Sequence, residues 1–455
     1  MAAAERAIDP RAATAVLLVE GYCSLAVEMI ALRVLVPVAG QSVGVTSVVV
    51  TVFLAALALG YRSGGRFRGG VREKVGWNLA AAAAWSSFWL SRFGVALGFD
   101  PTGRLPPTAQ VVVYALVGVA PAAYLLAETV VVLVRCRSEA DAGGKAGGAF
   151  AASTLGNVAG GLVTALVVMQ YLGVGASVGL VAGLLVVAAV AVRSRLDLRL
   201  WVAGVASAAI CAANLAAEGD AYVLSTAHAD YAVEEADGAL HLRVNGQNAS
   251  REDGAGIGHP YIEWIEDAVY GRIRDRPAAR VLVIGAGGFT FGRGRAADAA
   301  EIVYVDVDDR LDEVAGVFLG GPSRSGSYVA MDGRAYLLRQ GEAFDAIVLD
   351  AFADRRTMPV HLHTREFFAL ARDRLADGGT LYMNLIVPPG ADRLSTRIDR
   401  TLRAVFAGCA AQPVGDASGW HNRVYSCRRS GLDGDRTVYS DADVRGDVDG
   451  WLSAP

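Results

Sequence analysis

The stretch Arg280-Val-Leu-Val-Ile-Gly-Ala-Gly-Gly-Phe-Thr290 decides how the second half of the chain is read. Val281 to Ile284 is an unbroken apolar run, as a parallel strand covered on both faces requires no polar alternation. Gly285, Gly287 and Gly288 follow at once. Such a turn lets backbone approach a ligand closely, and a helix starting there would aim its free N–H groups at that ligand. About twenty residues on, a second apolar strand, Glu301 to Val305, ends at Asp306, where such folds put the acid that holds a ribose. Strand, glycine turn, strand and terminal acid at this spacing predict a nucleoside-binding α/β domain.

Outward from this stretch the same alternation continues. Tyr231–Glu235 and Leu240–Val244, joined around Asp237-Gly238, read as a β-hairpin. Pro260 to Arg272 reads as a helix leading into the glycine strand. Val329 to Met331 ends at Asp332-Gly333, Ala346 to Leu349 ends at Asp350, Thr364 to Leu375 is helical, and Thr380 to Leu385 is a further strand. Strands alternating with helices predict a parallel, doubly wound sheet, whose ligands bind beyond the carboxyl ends of its strands. Gly285, Asp306, Asp332 and Asp350 all fall on that one rim.

The first half has a different character. Of the 455 residues 53% are hydrophobic, and they crowd the region before Ala216. Runs long enough to cross a bilayer fall at about 14–36, 43–61, 77–97, 109–134, 149–171, 174–192 and 200–216, roughly seven spans. Glu20 and Glu28 interrupt the first, which therefore does not read as a cleaved signal peptide. Gly156 and Gly160, like Gly175 and Gly179, have the small-x-x-x-small spacing that permits close helix packing. Arg62, Arg66, Arg68, Arg72 and Lys74 fill one loop, Arg135, Arg137 and Lys145 another, and Arg193, Arg195 and Arg199 a third, so these loops are expected to face the cytoplasm. If Leu200–Ala216 crosses, the second half lies outside. Read as re-entrant or interfacial, this segment leaves the soluble half in the cytoplasm, which is the expectation here. Glu20, Glu28 and Glu128 read as acids paired with Arg33 or hydroxyls rather than as a cation path.

A net charge of −4 gives no argument for nucleic acid. The five cysteines are far apart and form no Cys-x-x-Cys pair, so neither a disulfide framework nor a zinc site is expected. His361-x-His363 would share a face of an extended segment, but no third ligand is evident, and no metal is expected.

At this point the chain resembles the polyamine aminopropyltransferases, the spermidine synthases, in a membrane-fused form. The resemblance rests on Glu28-x-x-x-x-Arg33, Leu57-Ala-Leu-Gly60 followed by Gly64-Gly65, Val244-Asn245-Gly246, the glycine turn, Asp306-Val-Asp308 and Asp332-Gly333-Arg334. It continues through Leu349-Asp350-Ala-Phe352, Pro359-Val-His361-Leu-x-Thr364-x-Glu366-Phe367 and Leu375-x-x-Gly378-Gly379. It implies a multi-pass α-helical membrane domain (1–217), a small β-hairpin element (218–258) and a class I S-adenosylmethionine methyltransferase-like, Rossmann-like α/β domain (259–455). By the same resemblance Asp306 would hold the ribose, and Asp332, beside Gly333, the adenine amino group. Gly285 and Gly287 would admit the sulfonium end, and Gln247 and Glu263 would face the amine.

The implied activity is transfer of an aminopropyl group from decarboxylated S-adenosylmethionine to putrescine or a related amine. That reaction needs a neutral amine and alignment, and Asp350 and Asp354 are the carboxylates expected to act as base and anchor. The implied partners are a small polyamine and the lipid bilayer of the plasma membrane, with a homodimer also admitted. The sequence departs from the family in three places. Gly288-Phe289 stands where the family carries an acid that grips the propyl amine. Asp350 and Asp354 are four apart rather than three. Gln247 directly follows Gly246, with Ala249 at the family's glutamine position. These departures keep two alternatives open: a methyltransferase using S-adenosylmethionine itself, and a membrane polyamine sensor or transporter working through Glu20, Glu28 and Glu128.

Overall fold

The structure, a computed structural model, describes residues 8–429 except 41, 100–104, 136–141, 194–196, 255–257, 296–298, 321–324, 353–357, 391, 407 and 416–418. The chain divides into two compact units, Met1–Ala227 and His228–Ala454.

The first unit is helical: α1 (Pro10–Ala39), α2 (Val43–Arg66), α3 (Val71–Trp89), α4 (Arg92–Gly98), α5 (Pro107–Tyr114), α6 (Ala120–Arg135), α7 (Ala142–Val163), α8 (Met169–Leu172), α9 (Val174–Arg193) and α10 (Leu198–Ala221), before a two-residue strand, β1 (Leu224–Ser225). π-helical turns at Ala115–Val119 and Thr164–Val168 join α5 to α6 and α7 to α8. Six segments among the described residues are long and apolar enough to cross a membrane: Pro10–Ala39, Val43–Arg66, Thr108–Arg135, Ala146–Leu172, Val174–Arg193 and Leu198–Ala221. The expected span 77–97 is not among them. It falls on α3, whose first turn carries Arg72, Glu73 and Lys74, and on α4, where Ser91 caps a new helix through its Oγ and the Gly94 N–H.

The Gly156/Gly160 pair does what its spacing suggests. A Cβ on Gly156 would stand 2.2 Å from the Leu18 carbonyl oxygen, and one on Gly160 2.1 Å from that of Tyr22, so α7 lies against the backbone of α1. Two of the buried acids, Glu20 and Glu128, have polar partners. Glu20 accepts from Ser153 Oγ at 2.9 Å. Glu128 accepts from Ser63 at 2.8 Å and Asn78 at 3.1 Å, and pairs with Lys74 at 2.6 Å.

The second unit opens with an antiparallel meander, β2 (Asp230–Ala236), β3 (Ala239–Val244) and β4 (Gln247–Glu252). Its turns are Asp237-Gly238, with φ of 51° and 69°, and Asn245-Gly246, with 51° and 76°. Two successive positive φ values match the right-handed twist of a two-residue hairpin, and Asn or Asp before Gly adopts them most readily.

There follow α11 (Pro260–Ile273), β5 (Arg280–Ile284), β6 (Glu301–Asp306), α12 (Leu311–Phe318), β7 (Ser327–Ala330), α13 (Gly333–Arg339), β8 (Phe344–Leu349), α14 (Arg365–Asp373), β9 (Leu375–Val387), α15 (Arg393–Val405), β10 (Gly408–Val414) and β11 (His421–Arg428). The seven strands lie in the order β10-β11-β9-β8-β5-β6-β7. β7, β6, β5, β8 and β9 are parallel neighbours, and β11 runs antiparallel to β9 and β10. Counted from β5 this is 3-2-1-4-5-7-6, the order of the class I S-adenosylmethionine methyltransferase-like sheet. Order reverses between β6 and β8 on either side of β5, so a crevice opens at the carboxyl end of β5. Leu282, Ile284, Val305, Ile347, Leu349 and Met383 form the buried sheet centre beneath it.

Two expectations are corrected. Among the described residues no helix follows the glycine turn before β6: residues 286–295 form successive turns and bends, because Gly287, Phe289 and Gly292 all have positive φ. The cysteines do include a pair. Cys409 and Cys427 face each other across the β10–β11 ladder and are joined as a disulfide. Spacing alone gave no sign of this, because the pairing depends on strand register.

Candidate active site

The crevice beyond β5 contains a cavity of about 310 Å³, lined from the glycine turn, the ends of β6 and β8, the start of α13, the β3–β4 turn and α11. Gly285 is fixed by the sheet: its N–H donates to Val305 O at 2.9 Å, while Asp350 N–H donates to Ile284 O at 2.9 Å. Its φ is 90°, and a Cβ there would stand 2.3 Å from the Asp350 carbonyl oxygen. Only glycine meets both conditions. The turn's N–H groups serve the protein itself: Ala286 donates to Asp306 Oδ2 at 3.0 Å and Gly288 to Ser250 Oγ at 2.9 Å.

The cavity gathers the expected rim. Gly285, Gly287, Asp306, Asp332, Gly333, Asp350 and Gln247 all line it. Burial pushes the Asp306 carboxyl above the usual carboxylate range, against the N–H groups of Ala286, Asp308 and Val307 that favour its ionised form. Asp332 caps α13 by accepting from Ala335 N–H at 2.9 Å, and its other oxygen meets His361 Nε2 at 2.7 Å. Asp350 is held on both oxygens, by Asn384 Nδ2 and by the Tyr261 hydroxyl, each at 2.9 Å. Burial nevertheless pushes its carboxyl up to about 6, with these two donors opposing the shift. His259 stacks on Tyr261 with ring centroids 5.8 Å apart. Burial, then the fields of His241 and Arg251, lowers it to about 4, so this cavity histidine is neutral near pH 7.

Other expected residues stand apart from the cavity. Glu263 is on α11 but not among the lining residues. Asp354 lies outside the described residues. His363 is buried, whereas His361 pairs with Asp332 at the cavity wall, so the two imidazoles occupy different surroundings.

Tyr261 and Asn384 were missed in the sequence. A signal for Asn384 existed: it is the one amide in the apolar run Leu381-Tyr-Met-Asn-Leu-Ile-Val387, and a polar group in a buried strand needs a partner.

Within the Gly288-Phe289 pair, the phenylalanine turns inward. Its ring is fully buried, edge-on to Tyr304 and Tyr328 at 5.1 and 5.2 Å. The position is core and is not among the described lining residues of the cavity. Phe289→Ala is expected to cost about 3–5 kcal/mol, the range for emptying a buried aromatic site. The check is a lowered melting temperature of the full-length protein in detergent.

No family model matches the chain. It is 27% identical over 132 residues to the probable polyamine aminopropyl transferase of Bifidobacterium longum, covering 28% of this chain and 29% of that protein. It is 26% identical over 190 residues to a polyamine aminopropyltransferase of Vibrio vulnificus, covering 40% of this chain and 62% of that protein. The chain thus spans less than two thirds of the length of either relative. Among solved structures, a spermidine synthase from Thermotoga maritima aligns with a TM-score of 0.36 and 18% identity, over 50% of this chain and 81% of that one. Over the stretches that carry the motifs quoted above, the chain is thus similar in sequence to polyamine aminopropyltransferases.

Proposed function

We propose that the C-terminal half binds decarboxylated S-adenosylmethionine across the glycine turn and passes its aminopropyl group to putrescine or a related amine. The observation that carries this reading is Asp350, a carboxylate at the β8 end held by Tyr261 and Asn384, which burial pushes up to about 6. It shares its cavity with Asp306 and Asp332, and no Lys or Arg is among the described lining residues. Such a wall favours cations and offers no Lys or Arg among the described lining residues to a ligand's carboxylate, which supports the decarboxylated donor over the ordinary one. In the step itself the amine nitrogen forms a bond to the carbon beside the sulfonium as the carbon–sulfur bond breaks. The electron pair leaves on sulfur as a neutral thioether, and Asp350 takes the proton from the attacking nitrogen. Asp306 would orient the ribose and Asp332 the adenine, with Gln247 toward the amine.

The burial of Phe289 favours a second reading: binding of nucleoside or amine without transfer, since nothing at that position grips the propyl amine. Calorimetric titration of the full-length protein with both forms of S-adenosylmethionine, followed by mass spectrometry after adding putrescine, separates the readings. Tighter binding of the decarboxylated form with an aminopropylated product is expected. Preference for the ordinary form would replace the proposal with methyl transfer. Binding without product would leave the second reading.

A further inference from the structure

The geometry of the first unit points to a seventh crossing, and hence to an extracytoplasmic C-terminal half. The key element is α3, which fails the test of apolarity but not that of position. At its start Lys74 and Asn78 meet Glu128 on α6. Further on Trp85 Nε1 donates to the carbonyls of Val117 and Gly118, at 3.0 and 3.1 Å, in the π-helical turn. At its end Trp89 lies 6.1 Å from the Tyr114 ring and accepts from the Tyr114 hydroxyl. Helix α3 therefore runs antiparallel beside residues 114–128, about half of the span Thr108–Arg135. Its 19 residues extend about 28 Å at 1.5 Å each, close to the hydrocarbon thickness.

One end of the bundle is basic. Arg135 reaches Phe67 O at 3.2 Å, joining the ends of α6 and α2. The stem of Arg193 lies on Gly76, joining the end of α9 to the start of α3. Arg193 also pairs with Asp197, which caps α10. Arg66, Arg72, Lys74, Arg135, Arg193 and Arg199 thus gather at one rim. In sequence, the connections at the other end, 40–42, 90–106 and 173, carry only Arg92 and Arg104. A basic rim marks the cytoplasmic face.

Helix α10 starts at that rim and leaves it. It runs parallel to α3, with Cys211 Sγ 3.6 Å from Ser87 Oγ and Asn214 Oδ1 accepting from Arg92 N–H at 2.9 Å. Its last turn binds the opposite end of the bundle, where Glu218 accepts from Gly175 N–H at 2.9 Å. A continuous helix of 24 residues packed this way is neither re-entrant nor interfacial. The chain therefore leaves the membrane on the side away from the basic rim. The Cys409–Cys427 disulfide agrees independently, since such bonds persist in oxidising compartments and are rare in the cytosol. The cytoplasmic placement expected from sequence is thereby reversed.

This inference does not rest on the proposed reaction. It adds a constraint: on that face the cavity meets amines of the external medium, and transfer requires a donor delivered there, whereas binding alone requires none.

The test fuses alkaline phosphatase and, separately, green fluorescent protein to the C-terminus of the full chain in a bacterial inner membrane. An active phosphatase and a dark fluorescent protein are expected. In intact cells Cys409 and Cys427 should resist alkylation until a reductant is added. A fluorescent C-terminal fusion with an inactive phosphatase overturns the inference, as does ready alkylation of both cysteines without reductant.

Discussion

Asp350→Asn is expected to lower aminopropyl transfer by roughly 100- to 10,000-fold, the usual weight of a positioned general base. The amide keeps the shape and can still meet Tyr261 and Asn384, but it cannot take a proton from the attacking nitrogen. Loss should therefore fall on kcat, with nucleoside binding by calorimetry little changed. A variant turning over at the wild-type rate would remove Asp350 from the mechanism. The wild-type rate should rise with pH through about 6, where burial has set this carboxyl, and level off above. Asn384→Leu removes a donor that favours the ionised form, so the profile should move to higher pH. The same shift affects stability with a definite sign. A native carboxyl raised from 3.8 to about 6 holds its proton more tightly than the unfolded chain does. Its contribution is thus present at low pH and is lost as pH climbs through that window. Asp350→Asn should be insensitive there, and melting curves at about pH 4 and about pH 7 compare the two directly.

The second large effect is expected at Gly285. Alanine would have to hold φ near 90° with its Cβ 2.3 Å from the Asp350 carbonyl oxygen. The backbone conformation alone costs about 1–2 kcal/mol, and the overlap is with main chain that cannot rotate away. Relief requires the end of β8 to move off β5, which carries Asp350 out of place. Gly285→Ala should therefore lose nucleoside binding and melt at lower temperature, or fail to accumulate. Gly271→Ala is the control: it sits within α11 with nothing within 4 Å of the added Cβ, and should gain up to about 1 kcal/mol. Equal behaviour of the two variants would sink the steric argument.

The contrast between Gly285 and Phe289 shows what sequence can and cannot disclose. Strand, glycine turn and terminal acid follow local rules, so β5, β6 and the rim at Asp306, Asp332 and Asp350 were legible from residue order. The hairpin at Asp237-Gly238 was legible for the same reason. Phe289 was visible as a departure, but its burial between two tyrosines depends on β6 and β7. Tyr261 and Asn384 reach Asp350 from positions 89 and 34 residues away, a separation no spacing rule covers. The span expected at 77–97 was legible as an apolar run, but the charged first turn of α3 and the break at Ser91 leave it outside the six long apolar segments. The helix expected after the glycines failed for a local reason, a run of positive φ values that opposes helix nucleation.

The Cys409–Cys427 bond has one more consequence. β10 is the outermost strand of its sheet, and Cys409 lies near the root of the β10–β11 hairpin, opposite its turn. The hairpin is thus closed at both ends, by connecting chain and by sulfur. Strands that peel from a sheet edge are the ones neighbouring molecules exchange or stack upon. A covalently closed hairpin cannot surrender its outer strand to a second copy, so reduction of this one bond should convert a protected border into a swappable one.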